Sequence, residues 1–141
     1  MIATQNQVKP TRLFASLIYE LLILISLWML VTALFVGVFG HANANPKRLI
    51  LQSLLWLMTG IYFVWQWQKS GQTLPAQTWK IKLINQDGAL LSLRIACLRY
   101  LLASVSLLCF GLGFCWALWD KNGLYWHDRL LNTKFTAVSK N

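Results

Sequence analysis

Leu13 to Phe39 is an unbroken apolar run of twenty-seven residues in which Glu20 is the only charged side chain. At 1.5 Å per residue a helix of that length reaches about 40 Å, longer than the ~30 Å hydrocarbon core of a bilayer. The run therefore predicts a transmembrane helix, and the rest of the chain has to be compatible with a membrane. A charge near the bilayer centre costs roughly 2.5–3.5 kcal/mol. The Glu20 carboxyl must accordingly be neutralised, paired, or turned toward other helices.

The remaining composition agrees. Of 141 residues, 57% are hydrophobic and only 12% charged, where soluble domains are nearer a quarter charged. A formal charge of +9 would suggest nucleic acid in a soluble chain, but here the basic residues sit between the apolar runs, where they act as topology signals. No basic stretch lies in the context of a recognition module, so no nucleic-acid partner is expected. The partner the composition does imply is the lipid bilayer. Cys97, Cys109 and Cys115 form no CxxC pair and have no histidine cluster nearby, which excludes a disulfide framework and a zinc site and predicts packing as small apolar residues. No metal or other cofactor is expected. The first apolar run is too long for the core of a signal peptide, and Glu20 interrupts it, so it is read as a retained helix.

Taken in order, residues 1–12 are a polar lead ending in Lys9 and Arg12, which mark the cytoplasmic side. Residues 13–39 are the first span. The stretch Gly40 to Arg48 is rich in turn formers and contains Pro46, which reads as a short loop. Residues 49–68 form the second span, with Tyr62, Trp65 and Trp67 near its end, where an aromatic belt meets the headgroups. In the cytoplasmic loop 69–92, Trp79–Ile84 alternates apolar and basic residues as a half-exposed strand does, and Asp87-Gly88 supplies a turn. The third apolar region, 93–119, carries Arg94 and Arg99 near its start and Gly111 and Gly113 past its middle. In the tail, 120–141, a short helix is predicted through Trp126–Leu130 and a strand over Lys134–Val138, and Asp120 reads as part of a solvated loop.

The fold class is thus an all-α membrane protein forming one domain over 1–141. It is a helical bundle of two full transmembrane helices plus a third long apolar segment, re-entrant or a single span, with a small cytoplasmic loop and tail element. Lys and Arg counts bear on the choice. A single third span divides them 7 to 6, whereas a return near Gly111 and Gly113 places 11 on the cytoplasmic side against 2, the stronger positive-inside bias. Length opposes two full spans in twenty-seven residues, so a returning segment would have to be re-entrant and shielded by the other helices. A return also puts Trp79–Ile84 and Lys134–Val138 on one side, where two lone strands would satisfy each other as a ribbon.

The run GFCWALWDKNGLYWHDRLLNTKFT at 113–136, with SGQTLPAQTWKIKLINQDG at 70–88 and the spacing of Arg12 to Glu20, resembles the RDD family of small bacterial membrane proteins over residues 10–138. The family is named for one arginine and two aspartates. The arginine matches Arg12 and the later aspartate matches Asp128, whereas Glu20 stands where the first-helix aspartate would be. Two further departures are Pro75-Ala76 after the GQTL run and Leu131-Asn132-Thr133 in the tail. The resemblance implies a multi-pass protein of the bacterial inner membrane with a cytoplasmic N-terminus and no well-established activity, cation/proton antiport having been proposed for some members.

From the residues themselves, Arg12, Ser16 and Glu20 fall at i, i+4 and i+8, on one helical face. Arg12 is about 12 Å along the axis from Glu20 and is expected to snorkel to the interface as a topology anchor. Glu20 and Arg99 lie at similar depths, about 10 and 9 Å inside their segments, so a buried Glu20–Arg99 pair is the plain structural expectation. The competing one is a protonatable site in a cation or proton path. His127-Asp128 joins a histidine to an acid, but no nucleophile is placed for catalysis, so no enzyme is expected. Asp128 is expected to pair locally, with Arg94, or to approach Arg94 and Arg12 through the ribbon. Two function classes follow: cation or proton transport through an intramembrane carboxylate, which in so small a chain calls for a homo-oligomer, or an accessory protein whose loop and tail bind a protein partner.

Overall fold

The structure, a computed structural model, describes residues 8–109, 111–119 and 125–138, without the side chains of residues 113, 114, 117 and 118. Asp120 lies outside the described residues. The elements are α1 (Pro10–Phe39), α2 (Lys47–Lys69), α3 (Leu74–Thr78), β1 (Ile81–Asn85), α4 (Leu93–Leu108), α5 (Leu112–Trp119), α6 (Trp126–Leu131) and β2 (Thr133–Ala137).

Two of the helices, α1 and α2, are long and apolar enough to cross a membrane. Pro10 sits in the first turn of α1, where its fixed φ suits a helix and its missing N–H is not needed. Gly40 ends the helix at φ 75°, donating its N–H to the Val36 carbonyl. Only Leu13, Ser16, Glu20 and Phe35 of α1 are buried. Beyond Thr11 and Arg12 its exposed residues are mostly apolar, as at Phe14 and Val38, 60% and 74% exposed, a pattern that suits lipid.

α2 runs against both α1 and α4. The Trp28 indole N–H donates to the Thr59 hydroxyl over 2.9 Å, tying α1 to α2. Facing α4, Gly60 allows a close approach: a Cβ there would lie 2.8 Å from the Tyr100 ring. The Tyr100 hydroxyl donates to the Trp56 carbonyl at 2.7 Å, and the Trp56 indole donates to Ser104 at 3.2 Å. Such bonds matter most where water cannot compete.

The third apolar region is not one helix. α4 stops at Leu108, Gly111 adopts φ 71° and donates its N–H to the Ser106 carbonyl, and α5 starts afresh at Leu112. The chain then returns, since α6 packs on α4 and β2 pairs antiparallel with β1, from Ile81↔Ala137 to Asn85↔Thr133. The break falls at Gly111, one of the two glycines the sequence pointed to, while Gly113 lies within α5, and the ribbon is formed. Its first strand begins later than the alternation suggested, because the short helix α3, which the sequence reading missed, precedes it and Lys80 turns out of that helix at φ 53°.

Two small cores lie at the ribbon end. Trp67, Leu83, Leu91 and Ala96 form one, and Leu13 with Tyr125 forms the other. Phe135 packs against both, so the start of α1, the end of α2, the start of α4 and the tail converge there. Contrary to the expectation of packing, Cys97, Cys109 and Cys115 are free and exposed. Cys97 lies on α4, Cys109 caps its C-terminal end and Cys115 lies on α5.

Candidate functional site

Two polar constellations occupy the ribbon end. In the first, Arg99 donates from Nε to Asp128 Oδ1 at 2.8 Å, with the two residues 4% and 0% exposed. The same oxygen accepts from the Thr133 hydroxyl at 3.1 Å, the first residue of β2. The guanidinium lies over the Trp67 ring at 4.4 Å and near Phe135 at 5.3 Å. A cation against desolvated aromatic faces gains about 2 kcal/mol, which offsets part of the cost of taking Arg99 out of water.

This geometry corrects the expected Glu20–Arg99 pair, and it also corrects the expected Asp128–Arg94 contact. Depth along two helices gave Arg99 a partner on α1, but the returning tail carries a nearer carboxylate on α6. Arg94 and Arg12 are both exposed and are not among the ion-pair partners of Asp128 within the described residues. Arg12 is exposed, whereas Ser16 and Glu20 are buried on the same helix.

His127 is fully buried beside the pair. Its Nε2 is 3.8 Å from Asp128 Oδ1, and its ring stacks on Tyr125 at 5.4 Å. Burial first, and the neighbouring Arg99 guanidinium second, hold the imidazole down at about 4, against the opposing pull of Asp128. At neutral pH His127 is thus uncharged, and the constellation holds one cation and one anion.

In the second constellation Glu20, 7% exposed, accepts at Oε2 from the Thr73 hydroxyl over 2.5 Å. The Tyr62 hydroxyl of α2 faces the same carboxyl. Neither Glu20 Oε1 nor the Tyr62 oxygen has a hydrogen-bond partner of good geometry among the described residues. No Lys, Arg or His there pairs with Glu20. The carboxyl thus faces hydroxyls, which can donate to a carboxylate, the stronger bond, and can also accept from a carboxylic acid.

Thr73 is placed by local sequence. A threonine two residues ahead of Pro75 is a helix N-cap signal, and Thr73 is indeed the N-cap of α3. Its hydroxyl makes no cap bond to α3 and is spent on Glu20. The sequence reading missed Thr73, Tyr62, Thr133 and the aromatic pair Trp67 and Phe135. Of these only Thr73 carried a local signal.

A family model described as the RDD family matches residues 10–132. The chain belongs to the RDD family. No curated protein and no solved structure matches it. RDD membership together with two helices of membrane length fits a membrane protein of unestablished activity, and the matched region contains Arg12, Glu20, Thr73, Arg99, His127 and Asp128.

Proposed function

We propose that this RDD protein is a multi-pass protein of the bacterial inner membrane, with a cytoplasmic N-terminus, that exchanges a proton, or a proton against a cation, at the Glu20 carboxyl. The observation that carries the proposal is the division of charges. Arg99, the basic residue at matching depth, is engaged by Asp128, which leaves Glu20 among hydroxyls. An ionised carboxylate without a cation is costly in an apolar setting, whereas a carboxyl that gains and loses a proton or small cation is not. Hydroxyl neighbours tolerate both states, so the exchange breaks no ion pair. Arg99 and Asp128 hold the tail in this reading and do not themselves turn over.

Few helices surround Glu20, so an enclosed path calls for a second copy of the chain. Reconstituted proteoliposomes with an internal pH dye test the proposal. The wild-type protein is expected to move protons in response to an imposed cation gradient, and Glu20→Gln to abolish that movement while Glu20→Asp retains part of it. Equal flux from wild type and Glu20→Gln excludes the carboxyl. Absence of flux in both favours the accessory role, in which the ribbon and tail bind a protein partner.

A further inference from the structure

The two constellations are joined by a continuous set of braces. Asp128 holds Thr133, and Thr133 stands opposite Asn85 at the end of the ribbon. From the other strand, the Leu83 N–H donates to the Gly71 carbonyl at 2.7 Å, and the Gln72 side-chain amide donates to the Ile81 carbonyl at 2.9 Å. The Ser70 hydroxyl accepts from the Gln72 N–H and donates to the Gln72 carbonyl, closing the same loop on itself. One residue further on, Thr73 donates to Glu20.

Two features fix this loop, one against the ribbon and one against α1. Gly71 takes φ 71°, and a Cβ there would lie 2.6 Å from the Leu83 carbonyl oxygen, so only glycine permits the approach. Thr73 forgoes its cap bond to α3 and directs the hydroxyl to Glu20 of α1 instead.

The geometry points to Gln72 as a positioning residue for the Glu20 carboxyl: by pinning the 70–73 loop to β1 it aims Thr73, and through the ribbon it links the Arg99–Asp128 pair to the protonation of Glu20. The inference rests on the reading of Glu20 as an exchanging group. The groups facing that carboxyl are Thr73 from the loop and Tyr62 from α2, and no basic side chain among the described residues pairs with it. The Thr73 hydroxyl donates to that carboxyl, so its loss bears directly on when Glu20 holds its proton.

Infrared titration of the full chain in phosphatidylcholine vesicles reads that proton through the carboxylic acid C=O band, assigned to Glu20 by its loss in Glu20→Gln. Gln72→Met keeps the side-chain volume of this half-buried residue but removes the amide donor, and Asp128→Asn removes the charge that anchors the tail. Both are expected to keep the acid band to higher pH than the wild type, by about half a pH unit or roughly threefold in proton affinity. Thr73→Val is expected to move it at least as far, and Thr73→Ser to leave it near the wild-type position. A band that moves in Thr73→Val but not in folded Gln72→Met or Asp128→Asn overturns the positioning role and leaves the Glu20 reading standing. A wild-type carboxyl that never titrates overturns both. Gln72→Met decides alone should Asp128→Asn fail to fold.

Discussion

At the scale of single residues, the deciding fact is which carboxylate Arg99 meets. Removing one member of a buried ion pair leaves the other charge stranded, at a cost of about 3–5 kcal/mol, whereas replacing both by apolar groups of similar size is often neutral. Asp128→Ala is therefore expected to lower thermal stability in detergent by that order, and Arg99→Leu with Asp128→Leu to recover much of it. Glu20→Ala gives the contrast: its loss should be smaller and should not be rescued by Arg99→Leu, because the two groups are not partners. Rescue of Glu20→Ala by Arg99→Leu would show that the pair is formed the other way round.

The sequence marked Glu20, Arg99 and Asp128 as polar groups that needed company, but not who kept company with whom. Helix depth is readable from residue number at 1.5 Å per step. The contact of residue 99 with residue 128 depends on how the chain turns between them, which no local pattern records. The partners that are neither charged nor repeated, Tyr62 and Thr133, were silent for the same reason.

At the scale of elements, the apolar runs and the alternation over β1 and β2 were legible, because period and length are properties of the sequence itself. The short helix α3 was not, since five residues with one proline make a weak helical signal, and its placement comes from packing on α1. Glycines give the elements a graded test. Gly37 lies in the interior of α1, and a Cβ added there would meet nothing within 4 Å, so Gly37→Ala should be neutral or stabilising by up to about 1 kcal/mol. Gly88 is at φ 82° with open space, so Gly88→Ala carries only the left-handed strain of about 1–2 kcal/mol. Gly71→Ala combines that strain with a clash against the Leu83 carbonyl and is expected to be the worst of the three. Thermal melts of the three variants check the order, and a Gly71→Ala protein no less stable than Gly88→Ala would mean that the loop does not sit against β1.

At the scale of the molecule, the convergence of chain ends makes a prediction about sidedness. Leu13 near the start of α1 packs with Tyr125, Trp67 near the end of α2 packs with Leu83, and Phe135 touches both clusters, so residues 8–12, the 69–92 loop and residues 125–138 share one end. Lys9, Arg12, Lys69, Lys80, Lys82, Arg94, Arg129 and Lys134 belong to that end, against Lys47 and Arg48 beside the α1–α2 loop. Asp87 is the exposed acid among the described residues. By the positive-inside rule, an asymmetry of this size in short connecting segments predicts a cytoplasmic basic end. Val138, 40% exposed beyond β2, and Asn43, exposed in the α1–α2 loop, should then lie on opposite sides of the membrane. In a background with Cys97, Cys109 and Cys115 replaced by serine, an impermeant maleimide added to intact spheroplasts is expected to label Asn43→Cys and to spare Val138→Cys until the membrane is opened. Labelling of both from outside would separate the tail from the cytoplasmic end and, with it, the ribbon from the membrane arrangement that the charges favour. Labelling of Val138→Cys alone would keep the ribbon intact and invert the whole molecule, putting the Thr73 side of the Glu20 carboxyl toward the periplasm.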